Sequence, residues 1–401
     1  MTSTARLKPE VTIQVYTNQG DQLDMLLGAA IGALDIPDAA VAAAEARYHE
    51  LGEFLGGYWA DSRADGLVYP QGSMRLGTVT SLIHRNDEYD LDIVCRRDLL
   101  EESITQAQLK ADVGHGLGLF VKSEPVGDPE LDDEGQRCWA LAYPGQSFHL
   151  DVLPALPDPE KTPNGIILTD NELRHWQYSS PVDYANWFHG VMRTEWLQRA
   201  VKYAESNKIQ IDDVPHWRIK TTLQRTVQAL KRHRDIFFTH DLHDRTASII
   251  ITTLAAMAYA PGGTLFEILE HVTSKMPTLV QRDNGIYSVC NPVQHRENFA
   301  DRWQKHPERA ERFFQWMEQA HSDFAAIGAE RGIDRILAKT ATAFGIGPAQ
   351  RAEEAIGTGL RDSRQSGRLG VTTASATLVS GASRPVRQHN FHGIASRASR
   401  P

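Results

Sequence analysis

The spacing of apolar residues changes once along this chain, near residue 180, and that change divides it into two differently built parts. Before it lie short β-rich runs: Leu67-Val68-Tyr69, Tyr89–Cys95, Cys138–Tyr143, Phe148–Leu153 and Ile166–Thr169. Runs of this length and composition, set off by turn residues, read as strands. Pro144-Gly145 between the third and fourth predicts an antiparallel pair. Residues 98–112 look helical. From about 181 onward the apolar residues recur every three or four positions, the helical period. Trp217–Phe238 is a long amphipathic candidate, Ala247–Tyr259 is nearly all apolar and reads as a buried helix, and Arg296–Arg331 holds more helix. A helical stretch over roughly 21–62 precedes the strands. Asp35-Ile36-Pro37-Asp38 should break it, with Asp35 or Asp38 as the cap.

The expected architecture is therefore α+β, a mixed-sheet lobe followed by an all-helical lobe with a cleft between them. The predicted boundaries are 1–62 for the N-terminal segment and long helix, 63–180 for the mixed lobe and 181–347 for the helical lobe. Residues 348–401 are rich in Gly, Ser, Thr, Arg and Ala and hold few large apolar residues. They are expected to be a disordered tail, because little buried surface is available to offset chain entropy.

Composition narrows the function classes. No run of eighteen apolar residues occurs in the 401, and the first residues lack an apolar signal core, so cytoplasm is the expected location and no membrane partner is expected. Cys95, Cys138 and Cys290 are odd in number and lack Cys-x-x-Cys spacing, which argues against a disulfide framework or a thiolate zinc site. The net charge is −9, and seven arginines against one acid follow residue 360, so the rest of the chain is strongly acidic. A long nucleic acid is not an expected partner, since non-specific binding needs a basic surface. A small anionic substrate stays open where metal ions supply the positive charge. His240 and His243 lie in a polar stretch with no cysteine nearby and read as loop residues.

Asp90 and Asp92 stand two apart in a predicted strand, so both carboxylates share one face. Two adjacent carboxylates repel, and something cationic should compensate. Asp151 sits in a second strand with a similar pattern, and if the strands are neighbours three carboxylates converge. Hard oxygen ligands of this kind suit Mg²⁺, with Mn²⁺ as a substitute, together with substrate phosphates. A D-x-D pair alone is common in solvated strands. Here Gly72-Ser73 precedes it by about seventeen residues. A turn glycine lets backbone approach a ligand closely, and successive N–H groups can form an anion nest.

Gly-Ser, then D-x-D, then a third strand-borne aspartate resembles the polymerase-β-like nucleotidyltransferase superfamily. Gln71–Thr78, Glu88–Val94, Leu230–Asp235 and Ser248–Ala256 together resemble the bacterial cGAS/DncV-like nucleotidyltransferases (CD-NTases) over about 45–345. The resemblance implies a polymerase-β-like lobe, ATP and GTP among the nucleoside triphosphate substrates, and a cyclic oligonucleotide second messenger made for anti-phage signalling. It also implies roles residue by residue. Asp90 and Asp92 would hold both metal ions, and Asp151 the one at the attacking hydroxyl. Gly72, Ser73, Lys231 and Ser248 would bind the triphosphate. On composition alone Lys231 could belong to a solvated basic helix face, and Ser248 could be a helix cap.

Two departures matter. In cGAS itself a tyrosine follows the serine matched by Ser248 and stacks on a base, whereas here Ile249 follows. Tyr184, Trp187 and Tyr259 are aromatic candidates that read more readily as core. The zinc insert of the animal enzyme has no match. Two other readings share these residues: transfer to an RNA or protein acceptor, and a catalytically silent nucleotide-binding scaffold. The tail is where a regulatory or conjugating partner would act. It ends in Ser399-Arg400-Pro401 and not in a small residue, so an unstructured extension is the preferred reading.

Overall fold

The computed structural model describes residues 19–59, 68–83, 88–132, 138–145, 148–169, 175–211, 214, 218–371, 378–380 and 384–386. Its centre is a mixed sheet of seven strands: β1 (Val68–Pro70), β2 (Tyr89–Arg96), β3 (Glu130–Asp132), β4 (Trp139–Tyr143), β5 (Phe148–Pro157), β6 (Ile166–Leu168) and β7 (Gln177–Ser179). The spatial order is β1-β2-β5-β4-β3, with β6 and β7 continuing from the far end of β5. The expected hairpin of β4 and β5 is present. The pairing of β2 with β5 is parallel, and in register over eight residues.

One face of the sheet is apolar throughout. Leu91, Ile93 and Cys95 of β2 and Leu150, Val152 and Leu156 of β5 point into one core. Two helices cover it, α2 (Asp38–Tyr58) and α4 (Gln106–Lys122); the short α3 (Gly72–Leu76) follows β1. The helix expected over 98–112 is shifted. A short 3₁₀ turn occupies Glu101–Ser103, and α4 starts where Thr105 and Gln108 form a reciprocal capping box.

The predicted 1–62 unit divides between two cores. α1 (Gln19–Gly32) buries Leu23, Leu26, Leu27 and Ile31 in the helical lobe, whereas α2 packs on the sheet. Neither Asp35 nor Asp38 caps α2, because Pro37 holds the N-cap position. Asp35 instead takes hydrogen bonds from Arg225 and Gln228, and Asp38 pairs with Arg218.

The helical lobe contains α5 (Pro181–Val191), α6 (Arg193–Asn207), α7 (Thr222–Phe237), α8 (Ser248–Ala258), α9 (Leu265–Leu279), α10 (Arg302–Lys305), α11 (Pro307–Ala329) and α12 (Ile333–Phe344). Two small hairpins interrupt it, β8 (Gln281–Asp283) with β9 (Ile286–Ser288), and β10 (Cys290–Asn291) with β11 (Gln294–Asn298). α7 begins at a second capping box, Thr221 with Gln224, and is buried along almost its whole length.

The reading of 348–401 as a disordered tail needs correction for its first part. Residues Ile346–Gln365 form a helix, α13, that packs against α1 and α12. Pro348, Ala349 and Ala352 are buried, and Ala352 belongs to the main helical core. Small side chains carry most of this packing, with Ile356 half-buried against the same core. Leu369–Val371, Leu378–Ser380 and Arg384–Pro385 then pair as a small sheet. Positions 372–377, 381–383 and 387–401 lie outside the described residues.

The lobes meet along α7. Its side chains donate to main-chain carbonyls at and just beyond the end of α3: Gln224 Nε2 to Leu76 at 2.9 Å, Lys231 Nζ to Thr78 at 3.0 Å, Gln228 Nε2 to Val79 at 2.8 Å, and Arg232 to Ser81. Lys220, just before α7, donates to Gly77 at 2.8 Å. Burial pushes both lysine ammonium groups down to about 8 from 10.5.

Two predictions follow from this packing. Ala352→Asp would bury a charge in the helical core, at about 3 kcal/mol or more. Its urea midpoint should fall clearly below that of wild type, whereas a free tail would give no change. The second concerns pH. Lys231 releases its proton near pH 8 when folded and near 10.5 when unfolded, so across that window the unfolded chain holds more protons. Stability from this group therefore rises with pH between those values. Stability curves of wild type and Lys231→Met, measured from pH 8 to 10, should diverge, the wild type rising more steeply; parallel curves would contradict the burial of the ammonium.

Candidate active site

The parallel register decides which side chains meet. Asp90 of β2 lies opposite His149 of β5, and Asp92 lies opposite Asp151. Residues two apart share a face, so all four project from the side of the sheet that α2 and α4 leave uncovered. The same face becomes apolar farther along, where Val94 and Leu153 are paired and buried with Ala155, Ile166 and Leu168. The carboxylates thus sit at the open end of an otherwise buried surface. The Asp90 side chain is 64% exposed and that of Asp151 29%.

The two strands are neighbours, and Asp90 and Asp151 come together at their open end, whereas Asp92 is not part of the group whose ligand atoms close on one another. A ring nitrogen joins Asp90 and Asp151: His149 Nε2 is 3.6 Å from Asp90 Oδ1 and 3.6 Å from Asp151 Oδ1. Ligand atoms of Asp90, His149 and Asp151 all lie within 4.8 Å of one another. Among the described residues no other group of His, Cys, Asp and Glu is arranged to hold a metal ion. His243 instead pairs with Asp244 at 2.7 Å, in keeping with a loop role. The donor set, carboxylate oxygens open to solvent on one side, fits a hard divalent cation that also keeps water or phosphate ligands.

Asp92 is engaged on its other side. The Gln71 N–H donates to the Asp92 carbonyl at 2.9 Å, which carries the β1–β2 ladder into the Gly72-Ser73 turn. Gly72 has φ +58°, and a Cβ there would collide with Asp92 Oδ2. Glycine is required twice over at this position, for the left-handed backbone and for the close approach. Ser73 opens the first turn of α3 beside it. The segment ends at Gly77, also left-handed, and the Thr78 N–H returns to the Ser73 carbonyl at 2.9 Å.

Lys231 of α7 donates to the Thr78 carbonyl, at the end of this segment. Leu230, Lys231, Arg232, His233 and Arg234 are all buried, so the basic run is no solvated helix face. Lys231 feels the site carboxylates: Asp92 and Asp90 favour its charged form, against the larger opposing effect of burial and that of Arg234. Ser248 is the first residue of α8 and does not cap it, since Ala247 holds the N-cap position. Its hydroxyl accepts from Arg234 Nη1 at 2.9 Å. Ser248 is thus tied to α7 three residues beyond Lys231.

The aromatic candidates are structural. Tyr184 is buried, with its hydroxyl 2.8 Å from that of Thr253; Trp187 packs on it, and Tyr259 donates to Glu195 at 2.6 Å. Sequence reasoning missed His149 and Lys220. His149 was accessible, because it stands two residues before Asp151 in one strand, the spacing that placed Asp90 with Asp92. Lys220 precedes its helix, and nothing local to it announces a contact with Gly77.

No protein-family model matches the chain. It is 30% identical over 346 residues to the c-di-GMP synthase of Roseivirga ehrenbergii, covering 85% of this chain and 87% of that protein. It is 25% identical over 308 residues to the cyclic dinucleotide synthase CdnG of Bradyrhizobium diazoefficiens, covering 71% of this chain and 70% of that one. The solved structure of that CdnG in complex with GTP superposes with a TM-score of 0.64 at 21% identity, over 84% of this chain and 99% of the other. With a 30% identical relative along most of its length and the fold of CdnG, this chain belongs to the bacterial cGAS/DncV-like nucleotidyltransferases, the CD-NTases.

Proposed function

We propose that this enzyme joins two molecules of GTP into cyclic di-GMP, with Asp90, Asp92 and Asp151 as its catalytic carboxylates. The observation that carries the site is the in-register β2–β5 ladder, which sets Asp92 against Asp151 beside the Gly72-Ser73 turn. The base assignment rests on two relatives, one named a c-di-GMP synthase and one solved with GTP. Asp90 and Asp92 would hold two divalent ions, Mg²⁺ or Mn²⁺, and Asp151 would share the ion beside the attacking ribose hydroxyl. Ions so held make that hydroxyl more acidic and offset charge on the triphosphate.

The chain's own groups do the rest. The α3 turn and the Ser73 hydroxyl would receive phosphate oxygens. The Lys231 ammonium, kept out of water, supplies a fixed positive charge next to them. Ser248, oriented by Arg234, offers a further hydroxyl. Asp90 and Asp151 are open to solvent on this face, and an acceptor nucleotide would approach them from there. A role in anti-phage signalling, work in the cytoplasm and a regulatory or conjugating partner at the C-terminal segment belong to the same proposal. In support of a partner, an E. coli CD-NTase of like fold, CdnC, has been solved in a complex with a HORMA protein.

Incubation with single labelled nucleotides tests the substrate. GTP alone should yield a phosphatase-resistant product with the mass of c-di-GMP; a requirement for ATP would overturn the base assignment, and label on added tRNA or protein would favour a macromolecular acceptor. Joint replacement Asp90→Ala and Asp92→Ala should lower turnover on the order of a thousandfold or more, as loss of a metal site does. Asp151→Asn should reduce kcat far more than it weakens GTP binding; equal losses would contradict the division of roles. Gly72→Ala should cost roughly 1 kcal/mol of stability for the left-handed backbone. It should lower turnover well beyond that, because the new methyl displaces Asp92.

A further inference from the structure

His149 has two different surroundings on its two ring nitrogens. Nε2 faces Asp90 and Asp151, at 3.6 Å from an oxygen of each. Nδ1 lies 3.4 Å from Glu88 Oε2, on the side away from them. Donor atoms bound about 2.1 Å from one ion stand roughly 3 to 4.3 Å apart. The Asp90, His149 and Asp151 atoms, within 4.8 Å of each other, need only small side-chain rotations to close on an ion. A carboxylate behind the far ring nitrogen is the usual arrangement for a metal-binding histidine, because it fixes the ring and raises the basicity of the ligating nitrogen.

We propose that His149 is a nitrogen ligand of the ion shared by Asp90 and Asp151, with Glu88 as the carboxylate that orients it, and that this makes the centre prefer Mn²⁺ over Mg²⁺. The inference rests on the carboxylate assignment above and adds a residue to it. Its position is fixed by the fold: the parallel register sets His149 opposite Asp90, and strand alternation keeps it on the same face as Asp151. Its chemical consequence follows from donor type. Mg²⁺ holds to oxygen ligands and sheds water reluctantly, whereas Mn²⁺ accepts imidazole more readily.

The test is Mn²⁺ binding to the full-length protein without nucleotide, followed by electron paramagnetic resonance, with Mg²⁺ as competitor. Bound Mn²⁺ should show nitrogen hyperfine coupling in pulsed spectra, and His149→Ala should abolish it. His149→Ala should weaken Mn²⁺ binding by about tenfold to a hundredfold while changing the Mg²⁺ competition constant much less. Glu88→Gln should retain the nitrogen signal and bind Mn²⁺ several-fold more weakly. Circular dichroism and the thermal midpoint, unchanged in both variants, would show that folding is intact; His149→Gln, which keeps a polar side chain, gives the same readout should His149→Ala misfold. Absence of nitrogen coupling, or unaltered Mn²⁺ affinity in His149→Ala, would overturn the proposal. If Mn²⁺ binding were then still lost in Asp90→Ala, the carboxylate assignment would stand without His149. If Asp90→Ala plus Asp92→Ala also bound Mn²⁺ like wild type, the carboxylate assignment itself would fail.

Discussion

A row of main-chain carbonyls is what the rest of this structure depends on. Between Leu76 and Ser81 the chain forms neither helix nor strand, yet it runs beneath the helical lobe. Buried carbonyls need partners, and a missing one costs on the order of 1–3 kcal/mol. Lys220 and the Gln224, Gln228, Lys231 and Arg232 side chains of α7 provide them. On the other side, the Ser81 N–H donates to the Leu34 carbonyl at 2.6 Å, between α1 and α2. This one segment therefore joins the sheet, the N-terminal helices and the helical lobe. It also explains why so basic a stretch as Lys231–Arg234 can be buried. Each charge is spent on a defined acceptor: Lys231 and Arg232 on carbonyls, Arg234 on Thr246, Ser248 and Asp235.

A second attachment lies at the far end of β5. Asp158 is buried and accepts from Arg296 of β11, whose guanidinium stands 3.5 Å over the Tyr178 ring of β7. The Ser179 hydroxyl donates to Glu297 at 3.0 Å. Asp158 is the buried member of this pair, so losing Arg296 would leave an uncompensated charge there. Together with the α7 contacts these bonds hold the lobes at two separated places. Lys231 can then face the carboxylates of a different lobe with little freedom to drift, and positioning of that quality is what transfer chemistry requires.

Much of this was legible in the sequence, for reasons that differ by element. Alternation exposed the first halves of β2 and β5, where only one face is buried, and the Asp pair stood out against it. Thr221 with Gln224 marked a helix start that a hydrophobic pattern alone had placed a few residues early, at Trp217. The parallel pairing was not legible. β2 and β5 are separated by α4 and the β3–β4 hairpin, and register between distant strands is set by the whole core. α13 escaped because, apart from the half-buried Ile356, it packs mainly through Pro348, Ala349 and Ala352, and composition registers large apolar residues better than small ones. The hairpins over 281–298 were hidden in a region of helical pattern, since their strands are short and largely exposed.

The same register that assembles the carboxylates also makes them unequal. Asp92 is wedged between Gly72 and its partner strand, and its own carbonyl anchors the turn through Gln71. Any movement of the turn is felt at Asp92, and any movement of Asp92 at the turn. Asp90, one pleat nearer the strand end, is exposed and faces His149 in place of a backbone. Asp151 lies on the neighbouring strand, where it meets both Asp92 in register and the histidine two residues before it. On the proposed roles, a donor triphosphate at the Gly72-Ser73 turn would be coupled closely to Asp92, whereas Asp90 and Asp151 retain an open side toward solvent. An acceptor hydroxyl would, on the same reading, arrive from that open side. The asymmetry between a tight edge at Asp92 and an open edge at Asp90 and Asp151 is written into β2 and β5 before any ligand binds.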